Sequence, residues 1–116
     1  MPANQLSATV RSKPGVAIID LQGEINAFAE EALTTAYTQA EQANPAAVVL
    51  NFSKVDYINS TGIALIVSIL AQARRSSRRI LAYGLSPHYV EIFEITRLAD
   101  FMHLFPDESS ALSATA

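Results

Sequence analysis

The segment Ala46–Phe52, Ala-Ala-Val-Val-Leu-Asn-Phe, constrains the fold more than any other stretch of the chain. It is short, rich in valine and nearly continuously apolar. That is the pattern of a strand buried on both faces. Its flanks read as helices and further strands, which together make a layered α/β architecture.

Upstream, a helix is expected over Ala27–Ala43. Phe28, Ala32, Ala36, Tyr37, Ala40 and Ala43 fall on one half of a helical wheel. Glu30, Glu31, Thr34, Thr38, Glu41 and Gln42 fall on the other. Asn26 is a suitable N-cap, the two glutamates suit the positive helix end, and Asn44-Pro45 stops the helix. Earlier still, Leu6–Arg11 alternates, Lys13-Pro14-Gly15 reads as a turn, and Val16–Leu21 is an apolar strand. These two strands are expected to pair as a hairpin.

Downstream, Ser53–Asn59 reads as a loop and a second helix as running from about Thr61 to Ser76. Arg79–Tyr83 is a strand ended by Gly84. Ser86-Pro87 opens a third helix reaching about Arg97. Phe101–Phe105 is a last strand, and Asp107 caps a short C-terminal helix. Ser109–Ala116 thins into small polar residues and is expected to fray. The predicted order is β-β-α-β-α-β-α-β-α. Right-handed crossovers then give a mostly parallel sheet with one antiparallel strand.

The 116 residues fit one domain, with an ordered core over about 5–111. Cysteine is absent, which excludes disulfide scaffolds, thiolate metal sites and thiol nucleophiles. No secretory leader and no apolar run near the roughly 18 residues of a membrane span are seen, so the chain reads as soluble and cytoplasmic. Charged residues make up only 16%, against about 25% in an average domain. A partner-binding face is therefore expected, and the net charge of −3 argues against nucleic acid.

The unusual stretch is Ser53-Lys54-Val55-Asp56-Tyr57-Ile58-Asn59-Ser60-Thr61-Gly62-Ile63. It leaves the carboxyl end of the central strand and enters a helix N-terminus, where unpaired N–H groups favour an anion. Ser60 and Thr61 place two hydroxyls there. A phosphoryl group would add about −1.5 to −2 charges, which the helix end tolerates and a docked protein surface would not. Asp56 would add like-charge repulsion.

Asn59-Ser60-Thr61-Gly62-Ile63, preceded by an apolar strand and Asp56-Tyr57-Ile58, resembles the signature of STAS domains. The stand-alone anti-sigma-factor antagonists match best, over about Gln5 to Ala111, and Gly23-Glu24-Ile25 resembles that family's early turn. The resemblance implies one STAS domain over 1–116. It implies a non-enzymatic regulator that binds a serine-kinase-type anti-sigma factor and is switched off by phosphorylation at Ser60, or less favourably Thr61. A serine phosphatase would restore binding. No cofactor or metal is implied, and the state would be monomer or weak dimer. The family's aspartate before the serine is Asn59 here, which keeps the capping geometry and loses the charge. The alternative is a phosphorylation-independent scaffold or transporter-associated subunit.

The expected partner face comprises Asp56, Tyr57, Asn59, Ser60, Thr61, Gly62, Leu65 and Ile69. Ile63, Ile66, Val67 and Leu70 form the expected core stripe of the second helix. Plainer readings exist for each feature: Ser60 as an ordinary N-cap, Gly62 as a packing glycine, Arg74, Arg75, Arg78 and Arg79 as cations at a helix C-terminus. His88 and His103 have no metal-ligand spacing and read as structural. Ser60 has no Gly-x-Ser-x-Gly elbow, and no phosphate-binding lysine loop is present, so hydrolysis and nucleotide chemistry are disfavoured.

Overall fold

A computed structural model describes residues 4–115. Met1–Ala3 and Ala116, parts of the segments read as lacking a leader and as fraying, lie outside the described residues. The elements are β1 (Ser7–Lys13), β2 (Val16–Ile25), α1 (Glu30–Glu41), β3 (Ala47–Ile58), α2 (Ser60–Arg75), β4 (Arg79–Tyr83), α3 (Pro87–Ile95), β5 (His103–Phe105) and α4 (Glu108–Ser113). Two short 3₁₀ turns, Ala27–Ala29 and Leu98–Asp100, precede α1 and follow α3. This is the predicted order.

The sheet runs β1-β2-β3-β4-β5, with β1 antiparallel to β2 and every other pair parallel. Pro14-Gly15 closes the hairpin, Lys13 facing Val16 across it. Gly15 has φ +78°, a conformation that glycine adopts without a Cβ clash. Because the parallel strands advance in one direction, right-handed crossovers put α1, α2 and α3 on the same face. Their buried residues join Ala17, Ile19, Val48, Leu50, Ile80 and Ala82 in the larger core. The opposite face, Ile18, Val49, Leu81 and Tyr83, is covered by α4 through Ala111. Ala47–Leu50 is thus buried on both sides, as its composition predicts.

Four expectations need correction. The predicted first helix is a 3₁₀ turn followed by a shorter α-helix. Asn26 caps the turn, its Oδ1 accepting the Phe28 N–H at 2.9 Å, and Phe28 is turned outward rather than into the core. Leu33 and Ala29 occupy the core instead. The predicted loop Ser53–Asn59 is mostly strand. β4 pairs with β3 only as far as Asn51, while β2 continues alongside to Ile58 through two register shifts. An unpaired edge accepts Lys54, Asp56 and Tyr57, so composition alone reads as loop.

The last strand is shorter than expected, since Leu98–Asp100 takes a 3₁₀ turn and pairing begins at His103. The segment expected to fray carries most of α4, the short helix that Asp107 was expected to cap. Its cap, Asp107 Oδ1, accepts the Ser110 N–H at 2.8 Å. Glu108 bridges it to the sheet, receiving Arg11 Nη2 at 2.6 Å and the Tyr83 hydroxyl at 2.7 Å. Arg11 also donates to Asp20 at 2.6 and 2.9 Å.

Candidate functional site: the N-terminus of the second long helix

The carboxyl ends of β2 and β3 converge on the start of α2. The Asn59 backbone N–H donates to the Ile25 carbonyl at 3.2 Å. Gly62 lies directly on that carbonyl: a Cβ there would stand 2.0 Å from the Ile25 oxygen. Only glycine lets the helix approach this closely. From this contact the buried positions of α2 follow at helical spacing, Gly62, Ile66, Ile69, Leu70 and Ala73.

That stripe is rotated from the expected one. Val67 is 45% exposed although it was expected in the core. Ile69 is 5% exposed and belongs to the core, so it offers no partner face. Leu65 is half-buried against the core. Gly62 is likewise buried and sets the helix position. Thr61, Ser60, Asp56 and Tyr57 remain at the surface, and Asn59 is half-buried.

Asn59 is the N-cap. Its backbone is extended, and its Oδ1 accepts the Gly62 N–H at 2.9 Å. Ser60 is therefore the first helical residue, and its hydroxyl makes no hydrogen bond among the described residues. The ordinary capping explanation for Ser60 is removed. A hydroxyl at this position lies in the first turn, at the positive end, of a 16-residue helix.

The strand leading in is held from α3. The Ile58 N–H donates to the Tyr89 hydroxyl at 2.9 Å. Ser86 caps α3 as predicted, its Oγ accepting the Tyr89 N–H at 3.4 Å, and so sets where Tyr89 begins its turn. Nothing in the sequence marks Tyr89 for this role, because a half-buried tyrosine on an amphipathic helix reads as core.

Two exposed aromatics belong to the same end of the sheet. Tyr57, the next-to-last residue of β3, is 50% exposed. Phe28 is 69% exposed on the 3₁₀ turn that follows β2 and packs on α2. Asp56 instead borders a shallow polar hollow with Gln22, Gly23 and Lys54.

The basic run at the far end of α2 divides. Arg78 turns inward to Glu41 at 3.0 Å, the Pro45 carbonyl and Asn44, tying the α2–β4 turn to the α1–β3 turn. Arg74 lies over the Phe101 ring, 5.6 Å from its centre. His88 is exposed and packs edge-on against Tyr89, and His103 is exposed on β5.

The family model for the STAS domain matches residues 7–111. The chain belongs to the STAS domain family. One relative is BtrV of Bordetella bronchiseptica, assigned as an anti-sigma factor antagonist. It is 29% identical over 111 residues, covering 96% of this chain and 93% of its own. An anti-sigma factor antagonist from Mycobacterium paratuberculosis superposes with a TM-score of 0.83 at 21% identity, covering 98% of this chain and 97% of that one. The Bacillus cell fate determinant SpoIIAA, in its phosphorylated form, superposes with a TM-score of 0.73 at 19% identity, covering 95% and 100%. The STAS fold and its mixed five-stranded sheet are thus shared. No helix among the described residues is long and apolar enough to cross a membrane.

Proposed function

We propose that this STAS domain is an anti-sigma-factor antagonist controlled at Ser60. In the unmodified state it docks the start of α2, with Tyr57, Thr61 and the exposed Phe28, onto a serine-kinase-type anti-sigma factor. The kinase binds ATP and transfers its γ-phosphoryl group to the Ser60 hydroxyl, releasing ADP, and this chain performs no chemistry of its own. Phosphorylation of Ser60 releases the partner, and a serine phosphatase restores binding.

The observation that carries this reading is the division of labour between Asn59 and Ser60. Asn59 caps α2, so the Ser60 hydroxyl is left to solvent at the helix start. A phosphoryl group there gains from the helix end and needs no rearrangement of the cap. At a docked surface the same group would have to be desolvated, which costs several kcal/mol for an unpaired charge, about what release of a partner requires. The name of the relative BtrV and the existence of a phosphorylated SpoIIAA support the reading.

Incubation with the cognate serine kinase and ATP, followed by mass spectrometry of the intact chain and its peptides, tests it. One phosphate on Ser60 is the expected result. Phosphate carried only elsewhere would contradict control at Ser60, and its absence would favour a phosphorylation-independent scaffold.

A further inference from the structure

A groove of about 490 Å³ opens between the C-terminal half of α2 and the connection from α3 to β5. Its size lies among small-molecule sites, roughly 300–1,000 Å³. The floor is aliphatic, built from the buried residues Leu70, Ala73, Ile80 and Leu98. The rim is cationic. Arg74, Arg78, Arg79 and Arg97 line it beside one carboxylate, Asp100, in a chain with 8 Lys and Arg in all and a net charge of −3.

These guanidinium groups are not equally committed. Arg78 is held inward by Glu41. Arg79 donates to the Ala114 carbonyl at 3.1 Å, which turns its guanidinium to the α4 face and away from the groove, whereas Arg74 rests on the face of Phe101. Arg74 has no carboxylate partner among the described residues. Arg97 pairs with Asp100 at 2.7 Å but remains largely exposed. It also holds φ +68° just past the end of α3. Glycine or asparagine normally takes that left-handed position, and arginine there is strained. Arg97 thus stands at the lip of the groove.

We propose that this groove binds a small amphiphilic anion. Its carboxylate or phosphate head is held by Arg74 and Arg97, and its apolar body lies on Leu70, Ala73, Ile80 and Leu98. A bare inorganic anion would leave the aliphatic floor unused. A neutral hydrocarbon would leave the guanidinium groups unused, and a cation would be repelled. The site is separate from Ser60: fourteen residues of helix put Arg74 about 21 Å along α2.

The test is a chemical-shift titration of the ¹⁵N-labelled full chain with decanoate and, separately, decyl phosphate. The tighter arm identifies the preferred head. Saturable shifts are expected at Val67–Arg74 and Arg97–His103, with Tyr57–Gly62 unmoved. Arg74→Gln should weaken binding at least fivefold. Arg97→Asn, which tolerates the backbone conformation, should weaken it also. Ala71→Trp, which fills the groove from an exposed position, should abolish it. The proposal is overturned by shifts that do not saturate or lie elsewhere. It is also overturned by equal binding of decyltrimethylammonium, by inorganic phosphate acting at the same concentration, or by shifts that accompany dimerisation.

Discussion

Asn59 closes the start of α2 by accepting the Gly62 N–H on its side-chain oxygen at 2.9 Å. The cap belongs to the residue before Ser60, and the two roles separate cleanly by substitution. Asn59→Ala should lower stability by about 1 kcal/mol in urea denaturation, the usual loss for an N-cap. Asn59→Asp should keep the cap and place a negative charge at the positive helix end, changing stability by about +0.5 kcal/mol or less. A fall of the Asp variant to the level of the Ala variant would contradict the assigned cap.

Gly62 offers the opposite sign from helix propensity. Alanine in a helix interior normally gains up to about 1 kcal/mol over glycine. Here its Cβ would sit 2.0 Å from the Ile25 carbonyl oxygen, so the helix must move off the sheet. Gly62→Ala should therefore destabilise by about 3 kcal/mol, at the upper end for overpacking. A thermal unfolding midpoint equal to or above the parent's would show that the helix end has room.

Tyr89→Phe removes the acceptor of the Ile58 N–H and little else, since the ring can keep its packing. Leaving that donor unpaired should cost about 1–2 kcal/mol. Amide hydrogen exchange at Ile58 reports it directly: faster exchange there, with Val48–Leu50 protected as before, is the expected pattern.

The sequence made most of the fold legible because its signals were local. Ala46–Phe52 announced a doubly buried strand, realised over Ala47–Leu50, and Lys13-Pro14-Gly15 a hairpin. Asn26, Ser86 and Asp107 announced the starts of helical segments, each of these caps confirmed by a hydrogen bond to the backbone. What it hid depended on distant neighbours. Lys54, Asp56 and Tyr57 look like a loop until β2 is known to run beside them on an edge that β4 leaves open. Val67 and Ile69 exchange burial because the contact of Gly62 with Ile25 fixes the rotation of α2, and no periodicity within the helix states that contact. Phe28 and Tyr89 are ordinary apolar positions until the turn and the strand they meet are in place.

Stability should decline in acid through the α4 clamp. Hydrogen bonds from Arg11, and secondarily from Tyr83, hold Glu108 below the usual carboxylate range. Arg11 first, and then Asn51, do the same for Asp20 against the opposing effect of burial. Groups with depressed folded values stabilise above the unfolded carboxylate value of about 4 and lose that contribution as pH falls from there through the lower folded value. The unfolding midpoint should therefore drop from about pH 5 downward, and the drop should be shallower in Glu108→Gln. At the other end, burial and then Glu108 push Tyr83 up to about 12, so stability should also fall as pH rises past about 10, where an unfolded tyrosine ionises. Identical acid profiles for parent and Glu108→Gln would remove the clamp as the cause.

The central claim concerns charge at Ser60, and calorimetric titration of the cognate anti-sigma kinase with three forms of the chain tests it most directly. Ser60→Ala should bind within about threefold of the parent, because the hydroxyl neither caps the helix nor pairs elsewhere among the described residues. Ser60→Asp should fold with the same midpoint or slightly higher, since the helix start accepts a carboxylate. It should nevertheless bind at least about 100-fold more weakly, a difference of about 2.7 kcal/mol. Parent-like affinity in a well-folded Ser60→Asp chain would contradict the account.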